Sequence, residues 1–113
     1  MELDPCPAGY RVPSLIEWEG ILKNNTSKKV GSWKKASTNY ENGRFFGRKL
    51  FLPAAGYRRS TDGALSYRGN YGGYWSSTEY GSTKAWYLDF SSGNANTYDS
   101  YRTDGQSVRC IAE

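Results

Sequence analysis

The sequence contains no histidine. This absence excludes Ser-His-Asp and Cys-His catalytic triads, zinc sites built on imidazole, and acid–base catalysis by histidine. Long hydrophobic runs are also absent, so we expect no membrane-spanning segment. The first residues, Met1-Glu2-Leu3-Asp4, do not have the pattern of a signal peptide.

Aliphatic residues are scarce, whereas aromatic residues make up 16% of the chain, with ten Tyr and four Trp among them. Each buried aromatic ring removes roughly 150–250 Å² from water, so these rings can supply a small core. Thirteen glycines in 113 residues indicate many turns. We therefore expect one domain, residues 1–113, rich in strands and loops.

The two cysteines, Cys6 and Cys110, lie near opposite ends of the chain. Their spacing fits no metal-binding pattern. Two interpretations stay open at this point: a disulfide that joins the ends of the domain, or two buried thiols.

The net charge of +4 is concentrated in the first half of the chain, around Lys28, Lys29, Lys34 and Lys35. A nucleic-acid-binding surface would interleave such a basic stripe with exposed rings. This cluster has a single ring, Trp33, in a predicted loop. We interpret it as a solvated loop and predict no nucleic-acid partner.

One helix is predicted over residues 13–24. Ser14 and Glu17 have the spacing of a capping box, and Leu15, Ile16, Trp18, Ile21 and Leu22 recur near helical spacing. Residues 25–44 are polar and read as a loop, with a short second helix around 32–38 as a weaker option.

From Phe45 onward the pattern favours strands and turns. Strands are predicted at 50–53, 74–78, 85–90 and 106–111, with turns at 62–63, 92–94 and 104–105. Residues 69–73 are predicted to form a flexible, tyrosine-bearing loop. In the third of these strands, the alternation places Trp86, Leu88 and Phe90 on one face.

The acidic residues do not form a catalytic pattern. Glu17 is accounted for by the capping box, and Glu79, Asp89, Asp99 and Asp104 are scattered over turns and strand edges. No phosphate-binding loop follows the glycines at 69–73. We predict no enzymatic activity, no catalytic residue and no cofactor. Glu79, Asp99, Asp104 and nearby Asn side chains could ligate calcium, but the spacing of an EF-hand is absent and Asn and Asp commonly stabilise turns, so we predict no metal site.

The segment 80–104 has the composition of antibody-like binding loops, rich in Tyr, Asn, Ser and Asp. The alternative is an ordinary loop whose tyrosine rings lie flat on the core. We predict a ligand-binding surface made of Tyr80, Lys84, Tyr87, Asp89, Asn94, Asn96, Tyr98, Asp99, Tyr101 and Arg102. Aromatic rings would anchor the ligand, and charged side chains would set selectivity.

Four motifs, in order along the chain, resemble those of the Fibrobacter succinogenes major paralogous domain family. They are Cys6-Pro7-Ala8-Gly9-Tyr10-Arg11-Val12-Pro13-Ser14 with Glu17-Trp18, Leu52-Pro53-Ala54-Ala55-Gly56-Tyr57-Arg58, Tyr74-Trp75-Ser76-Ser77-Thr78-Glu79, and Ser107-Val108-Arg109-Cys110. Together they span nearly the whole chain.

That family is similar to the formylglycine-generating enzymes, and the resemblance implies an α+β fold of the C-type-lectin-like kind. In such a fold one or two helices flank a small antiparallel sheet with long loops, and the two termini pair as strands. This pairing would bring Cys6 close to Cys110. The resemblance also implies a secreted or cell-surface protein.

The family's chemistry does not carry over. The copper site of formylglycine-generating enzymes needs cysteines other than those of the two end motifs, and Ser-Ser-Thr follows Trp75 where a calcium-dependent lectin would have its Asn-Asp pair.

Residues 80–104 also resemble the diversified stretch of the variable proteins of diversity-generating retroelements, which is enriched in Asn, Tyr, Ser, Asp and Thr. The expected function is therefore a non-catalytic binding or display module for a protein or other macromolecule. The alternatives are a structural or adhesive surface domain and a glycan-binding module.

Overall fold

The computed structural model describes residues 5–33 and 42–113. Within them, one helix and ten strands form four small antiparallel sheets. Strand accounts for 46% of the structure and helix for 10%. The α+β, C-type-lectin-like prediction is therefore wrong, and the domain is mostly β. The prediction failed because several segments that read as polar loops pair as strands.

The elements run in the following order. They are β1 (Tyr10–Arg11), α1 (Leu15–Asn24), β2 (Ser27–Val30), β3 (Gly43–Phe46), β4 (Leu50–Pro53), β5 (Tyr57–Arg58), β6 (Leu65–Ser66), β7 (Gly72–Tyr80), β8 (Lys84–Phe90), β9 (Ala95–Tyr101) and β10 (Ile111–Ala112). The four sheets are β1-β10, β2-β3-β4, β5-β6 and β7-β8-β9.

The predicted helix is confirmed, and it begins where the capping box places it. The backbone N–H of Glu17 donates to the Ser14 hydroxyl oxygen at 3.2 Å, and the Ser14 N–H donates to the Glu17 carboxylate at 2.9 Å. Trp18 is fully buried, and its indole N–H donates to the Trp75 carbonyl oxygen at 3.1 Å. This bond fixes α1 against β7.

The expected loop at 25–44 is wrong where β2 and β3 form. Lys28 and Lys29 point into solvent, but β2 is an edge strand that pairs along its full length with β3. Lysine on an edge strand is a common way to discourage further strand pairing. Most of the second helix considered at 32–38 lies outside the described residues.

Rings supply most of the core, as the composition predicts. Phe90 is fully buried at its centre, with the rings of Trp33, Phe46 and Tyr74 at centroid distances of 5.9–6.1 Å. Leu88 is also fully buried, and Trp86 packs edge-on against Tyr80 at 5.3 Å. The predicted common face of Trp86, Leu88 and Phe90 is confirmed by the register of β8.

The two ends of the domain lie side by side. Tyr10 of β1 is paired with Ala112 of β10, and the Glu113 N–H donates to the Gly9 carbonyl oxygen at 3.0 Å. Cys6 and Cys110 form a disulfide, with their Cα atoms 5.8 Å apart. The sequence left two interpretations open for these cysteines, a disulfide or two buried thiols, and the structure shows the disulfide.

Within the part of the chain that the structure describes, no helix has the length and apolar character needed to cross a bilayer.

Candidate binding site

The site lies on one face of the sheet β7-β8-β9. Tyr87 is directly opposite Trp75 on one side and Tyr98 on the other, and Asp89 is opposite Asn96. Directly opposed residues of antiparallel strands share a face. We call the face formed by Trp75, Tyr87, Asp89, Asn96, Tyr98 and Ser100 the outer face, because Leu88 and Phe90 point into the core from the other side.

The segment expected to be a loop, 94–103, is largely the strand β9. Because side chains alternate along a strand, β9 cannot present all of its polar residues to one ligand. Four of the predicted ligand-binding residues lie on the outer face: Tyr87, Asp89, Asn96 and Tyr98. Tyr98 is 50% exposed, so its ring is not part of the core.

Three of the other six predicted residues lie together on the opposite face, near the start of β8. The Lys84 ammonium lies 3.3 Å from the Asp99 carboxylate and 4.8 Å from the centroid of the Tyr101 ring. Tyr101 is 54% exposed.

The remaining three lie around this second group and in the adjoining turns. Tyr80 is paired with Lys84, and the Arg102 guanidinium lies 3.7 Å from Glu79. Asn94 is in the turn between β8 and β9, where its carbonyl oxygen accepts from the Ser91 N–H at 2.9 Å. The ten residues therefore occupy two faces and a turn, and do not form a single patch.

A cavity of about 510 Å³ lies against the outer face. Two of the predicted residues, Tyr87 and Asp89, line it. Its full lining combines four tyrosines, two aspartates and four neutral polar residues: Tyr57, Tyr67, Tyr71, Tyr87, Asp89, Asp104, Asn70, Ser91, Ser100 and Gln106.

Three tyrosines form an aromatic cluster along the cavity. The rings of Tyr57 and Tyr67 are stacked, with centroids 6.0 Å apart and planes 12° from parallel. Tyr71 packs edge-on against Tyr57 at 5.5 Å. The hairpin β5-β6 places Tyr57 near Tyr67, which has a left-handed backbone (φ 60°) and is half-exposed. The cluster offers ring surface to a ligand.

A chain of hydrogen-bonded hydroxyl groups lies in the cavity lining. The Tyr71 hydroxyl donates to the Tyr87 hydroxyl oxygen at 3.0 Å, and the Tyr87 hydroxyl donates to the Asp89 carboxylate at 3.0 Å. Burial raises the pKa of Tyr71 well above its usual value, and burial is also the main reason that the pKa of Tyr87 rises to about 12. Both hydroxyls therefore keep their protons at neutral pH.

The second carboxylate is held by the loop that follows β9. Asp104 accepts from the Ser100 hydroxyl at 2.6 Å and from the Ser60 N–H at 3.1 Å. Two backbone hydrogen bonds of 2.8 Å between Arg58 and Gly105 fix this loop to β5. The geometry of Asp104 is thus set by two segments that are distant in sequence.

Two acceptors of the lining lack a partner. The side-chain oxygens of Asn70 and Gln106 are buried and accept no hydrogen bond from the described part of the protein. Both oxygens are buried beneath the cavity surface, where an acceptor without a partner is costly. Gly73 leaves the space for Gln106, because a Cβ at Gly73 would lie 2.0 Å from the Gln106 side-chain oxygen.

The described residues that line the cavity include two carboxylates but no lysine or arginine. Neither Asp89 nor Asp104 takes part in the ion pairs of residues 5–33 and 42–113, which join Arg11 to Glu17, Arg59 to Asp62, Lys84 to Asp99 and Arg102 to Glu79. The cavity is thus acidic in a chain whose net charge is positive.

Sequence reasoning missed most of this lining, including Tyr57, Tyr67, Tyr71 and Gln106. A signal was available: the predicted turn at 62–63 folds the chain back between Tyr57 and Tyr67, and Tyr71 belongs to the tyrosine-bearing stretch at 69–73. What the sequence does not show is that these rings meet Tyr87. Among the described residues, no group of three or more acidic or cysteine side chains could hold a metal ion.

Fold and site together define a mostly β, disulfide-closed domain with an aromatic and acidic cavity. The chain belongs to the family described as "Domain of unknown function (DUF8237)", whose model matches residues 33–111. The match includes every residue of the cavity lining. Comparison with curated proteins gives no match, and neither does comparison with solved structures.

Proposed function

We propose that this chain is a non-catalytic binding module that uses the outer face and its cavity to bind a protein or other macromolecule. The observation that carries the proposal is the cavity of about 510 Å³, lined by four tyrosines, beside a sheet face from which Tyr98 projects into solvent. Ligand-binding cavities commonly measure about 300–1,000 Å³ and combine rings with a few polar groups.

The chemistry of the lining supports binding over catalysis. Burial raises the pKa of Tyr71 and of Tyr87, so both hydroxyls stay protonated and act as hydrogen-bonding groups. The carboxylates of Asp89 and Asp104 already accept hydrogen bonds from hydroxyl groups. Tyrosine presents a large, rigid contact area at low entropic cost, which makes it a frequent anchor of binding surfaces.

The disulfide supports the proposal that the module works at the cell surface or after secretion. Disulfides persist in oxidising compartments and are rare in the cytosol. The Cys6–Cys110 bridge closes the domain around its two ends, where it would stabilise a small core.

We further propose that this chain is the variable protein of a diversity-generating retroelement, in which the sequence of the outer face would be diversified. Substitutions on an exposed face usually change stability by less than about 0.5 kcal/mol, whereas changes in the core can cost several kcal/mol. Tyr98 and Asn96 are exposed, while Leu88 and Phe90 are fully buried. The sheet can therefore vary at exposed positions of β9 while the buried positions of β8 stay fixed.

Genome sequence around the gene tests this second proposal. A template repeat that matches the codons of 80–104, together with a reverse-transcriptase gene, would support it. Their absence would remove the variable-protein proposal and leave the binding module standing.

The binding module itself is tested by screening the oxidised domain against a library of displayed extracellular proteins and against a glycan array, with and without a calcium chelator. A specific ligand should be lost in Tyr98→Ala and Tyr67→Ala and kept in Tyr10→Ala. Tyr10 is a matched control, because it is 49% exposed but lies on β1. Ligands that all three variants retain, or no specific ligand at all, would favour a structural or adhesive domain and overturn the proposal.

A further inference from the structure

We infer that the cavity on the outer face receives a basic side chain, an ammonium or guanidinium group, from the partner protein. The inference rests on the proposed binding function and adds the chemistry of the group that is recognised. It follows from three properties of the lining: uncompensated negative charge, ring surface and hydrogen-bond acceptors.

The first property is the negative charge of the cavity lining. Asp89 and Asp104 line the same cavity, and neither forms an ion pair within the described residues. Two neighbouring arginines already have partners at the turn between β5 and β6. The Arg59 guanidinium lies 2.7 Å from the Asp62 carboxylate, and Arg58 donates to the Gly63 carbonyl oxygen at 3.0 Å. A ligand cation would therefore supply the opposite charge that the cavity lacks.

The ring surface favours the same kind of ligand. A cation over the face of a tyrosine ring is attracted by the ring's electron density, and the attraction increases as water is excluded. The aromatic cluster offers Tyr57, Tyr67 and Tyr71 in contact with one another. The alkyl stem of a lysine or arginine would pack on these rings as well.

The hydrogen-bonding capacity is also matched to a donor-rich group. An ammonium carries three donors and a guanidinium five, and neither accepts a hydrogen bond. The cavity offers such a group the carboxylates of Asp89 and Asp104 as acceptors. An anionic ligand would instead be placed beside Asp89 and Asp104 with no lysine or arginine of the lining to balance it.

The experiment is an NMR titration of the oxidised, isotope-labelled domain with four small probes. Two are cationic, N-acetyl-lysine amide and N-acetyl-arginine amide. Two are neutral analogues of similar shape, N-acetyl-norleucine amide and N-acetyl-citrulline amide. We expect at least about tenfold tighter binding of a cationic probe than of its neutral analogue, with shifts at Tyr57, Asn70 and Tyr71. Comparing the lysine probe with the arginine probe shows whether the cavity prefers an ammonium or a guanidinium group.

Variants separate charge recognition from fold. Asp104→Asn and Asp89→Asn keep an acceptor oxygen and remove the charge. Each variant should bind the cationic probe about fivefold more weakly, or weaker still. Glu79→Gln is the control, since its carboxylate is exposed and outside the cavity. The two aspartate variants are independent, so one that fails to fold leaves the other to test the inference.

The outcomes distinguish this inference from the function on which it rests. Equal binding of charged and neutral probes would overturn the inference, and a macromolecular ligand sensitive to Tyr98→Ala would still support the binding module. Failure of every probe would also overturn it, whatever the screen finds. If the screen finds no specific macromolecular ligand, the proposal of a binding module is itself overturned.

Discussion

Gly72 and Phe90 lie directly opposite each other across β7 and β8, and the Phe90 ring covers the α-carbon of the glycine. A Cβ at Gly72 would lie 2.1 Å from Cζ of Phe90. Because Phe90 also contacts Trp33, Phe46 and Tyr74, the ring has little freedom to move away. The central contact of the core thus depends on the absence of one methyl group.

Gly72→Ala should therefore destabilise the domain by about 1–3 kcal/mol, the usual cost of overpacking a core. The free energy of unfolding is measured by urea denaturation followed by tryptophan fluorescence. Gly93→Ala is the matched control, since no atom lies within 4 Å of a Cβ built there. Equal stability of the two variants would show that the core around Phe90 can adapt.

Reduction of the Cys6–Cys110 bridge should lower the free energy of unfolding by about 3–5 kcal/mol. The bridge joins residues 104 positions apart, and closing so long a loop removes much conformational freedom from the unfolded chain. Urea unfolding with and without a reductant measures the change. The double variant Cys6→Ser with Cys110→Ser should match the reduced protein and not respond to reductant. A wild-type midpoint that ignores the reductant would contradict the prediction.

Stability should fall as the pH drops from about 4.5 to about 2, in part because of Glu17. A hydrogen bond from Arg11, together with one from the Ser14 backbone, lowers the pKa of Glu17 to about 2 in the folded protein. The unfolded chain, with the ordinary value near 4.5, binds the proton first, so the stabilisation is present above that pH and is lost toward the folded value.

Glu17→Gln should remove this part of the pH dependence and cost about 1 kcal/mol at neutral pH, a typical loss for a helix cap. Unfolding is measured between pH 2 and pH 7. Glu19→Gln, a change of the same kind on the exposed side of α1, serves as the control. A slope that survives in Glu17→Gln would assign the acid sensitivity to other carboxylates.

Tyr87→Phe should destabilise the domain by about 1–2 kcal/mol, because it removes the middle of the Tyr71–Tyr87–Asp89 hydroxyl chain. The Tyr71 hydroxyl would lose its acceptor, and Asp89 would lose a donor. Tyr98→Phe is the control, as the Tyr98 ring is directly opposite but half-exposed. Thermal unfolding compares the two. If both variants unfold at the same temperature, the hydroxyl chain contributes no net stability.

Local signals explain which parts of the fold were predictable. The capping box of Ser14 and Glu17 acts within one helical turn, and the alternation at Leu88 and Phe90 is a property of a single strand. By contrast, β2 and β9 are edge strands with polar side chains, so hydrophobic periodicity does not mark them. Their pairing depends on the neighbouring strand.

The cavity could not be predicted from the sequence, for a related reason. Tyr57 and Tyr71 come near Asp104 and Tyr87 through contacts between distant segments, such as the hydrogen bonds between Arg58 and Gly105. Composition pointed to tyrosine-rich binding, but only the strand pairing decides which tyrosines share a face.

The Cys6–Cys110 bridge also decides how the domain would respond to mechanical tension. A force that pulls on Pro5 and Glu113 would pass through the covalent S–S bond, and the sheets between the two cysteines would carry almost none of it. The outer face would keep its shape under load for as long as the cysteines stay oxidised. β10 lies between Cys110 and Glu113, outside the loop that the bridge closes, so the pull would separate it from β1 in either redox state, and a reducing agent would let the force continue into the core.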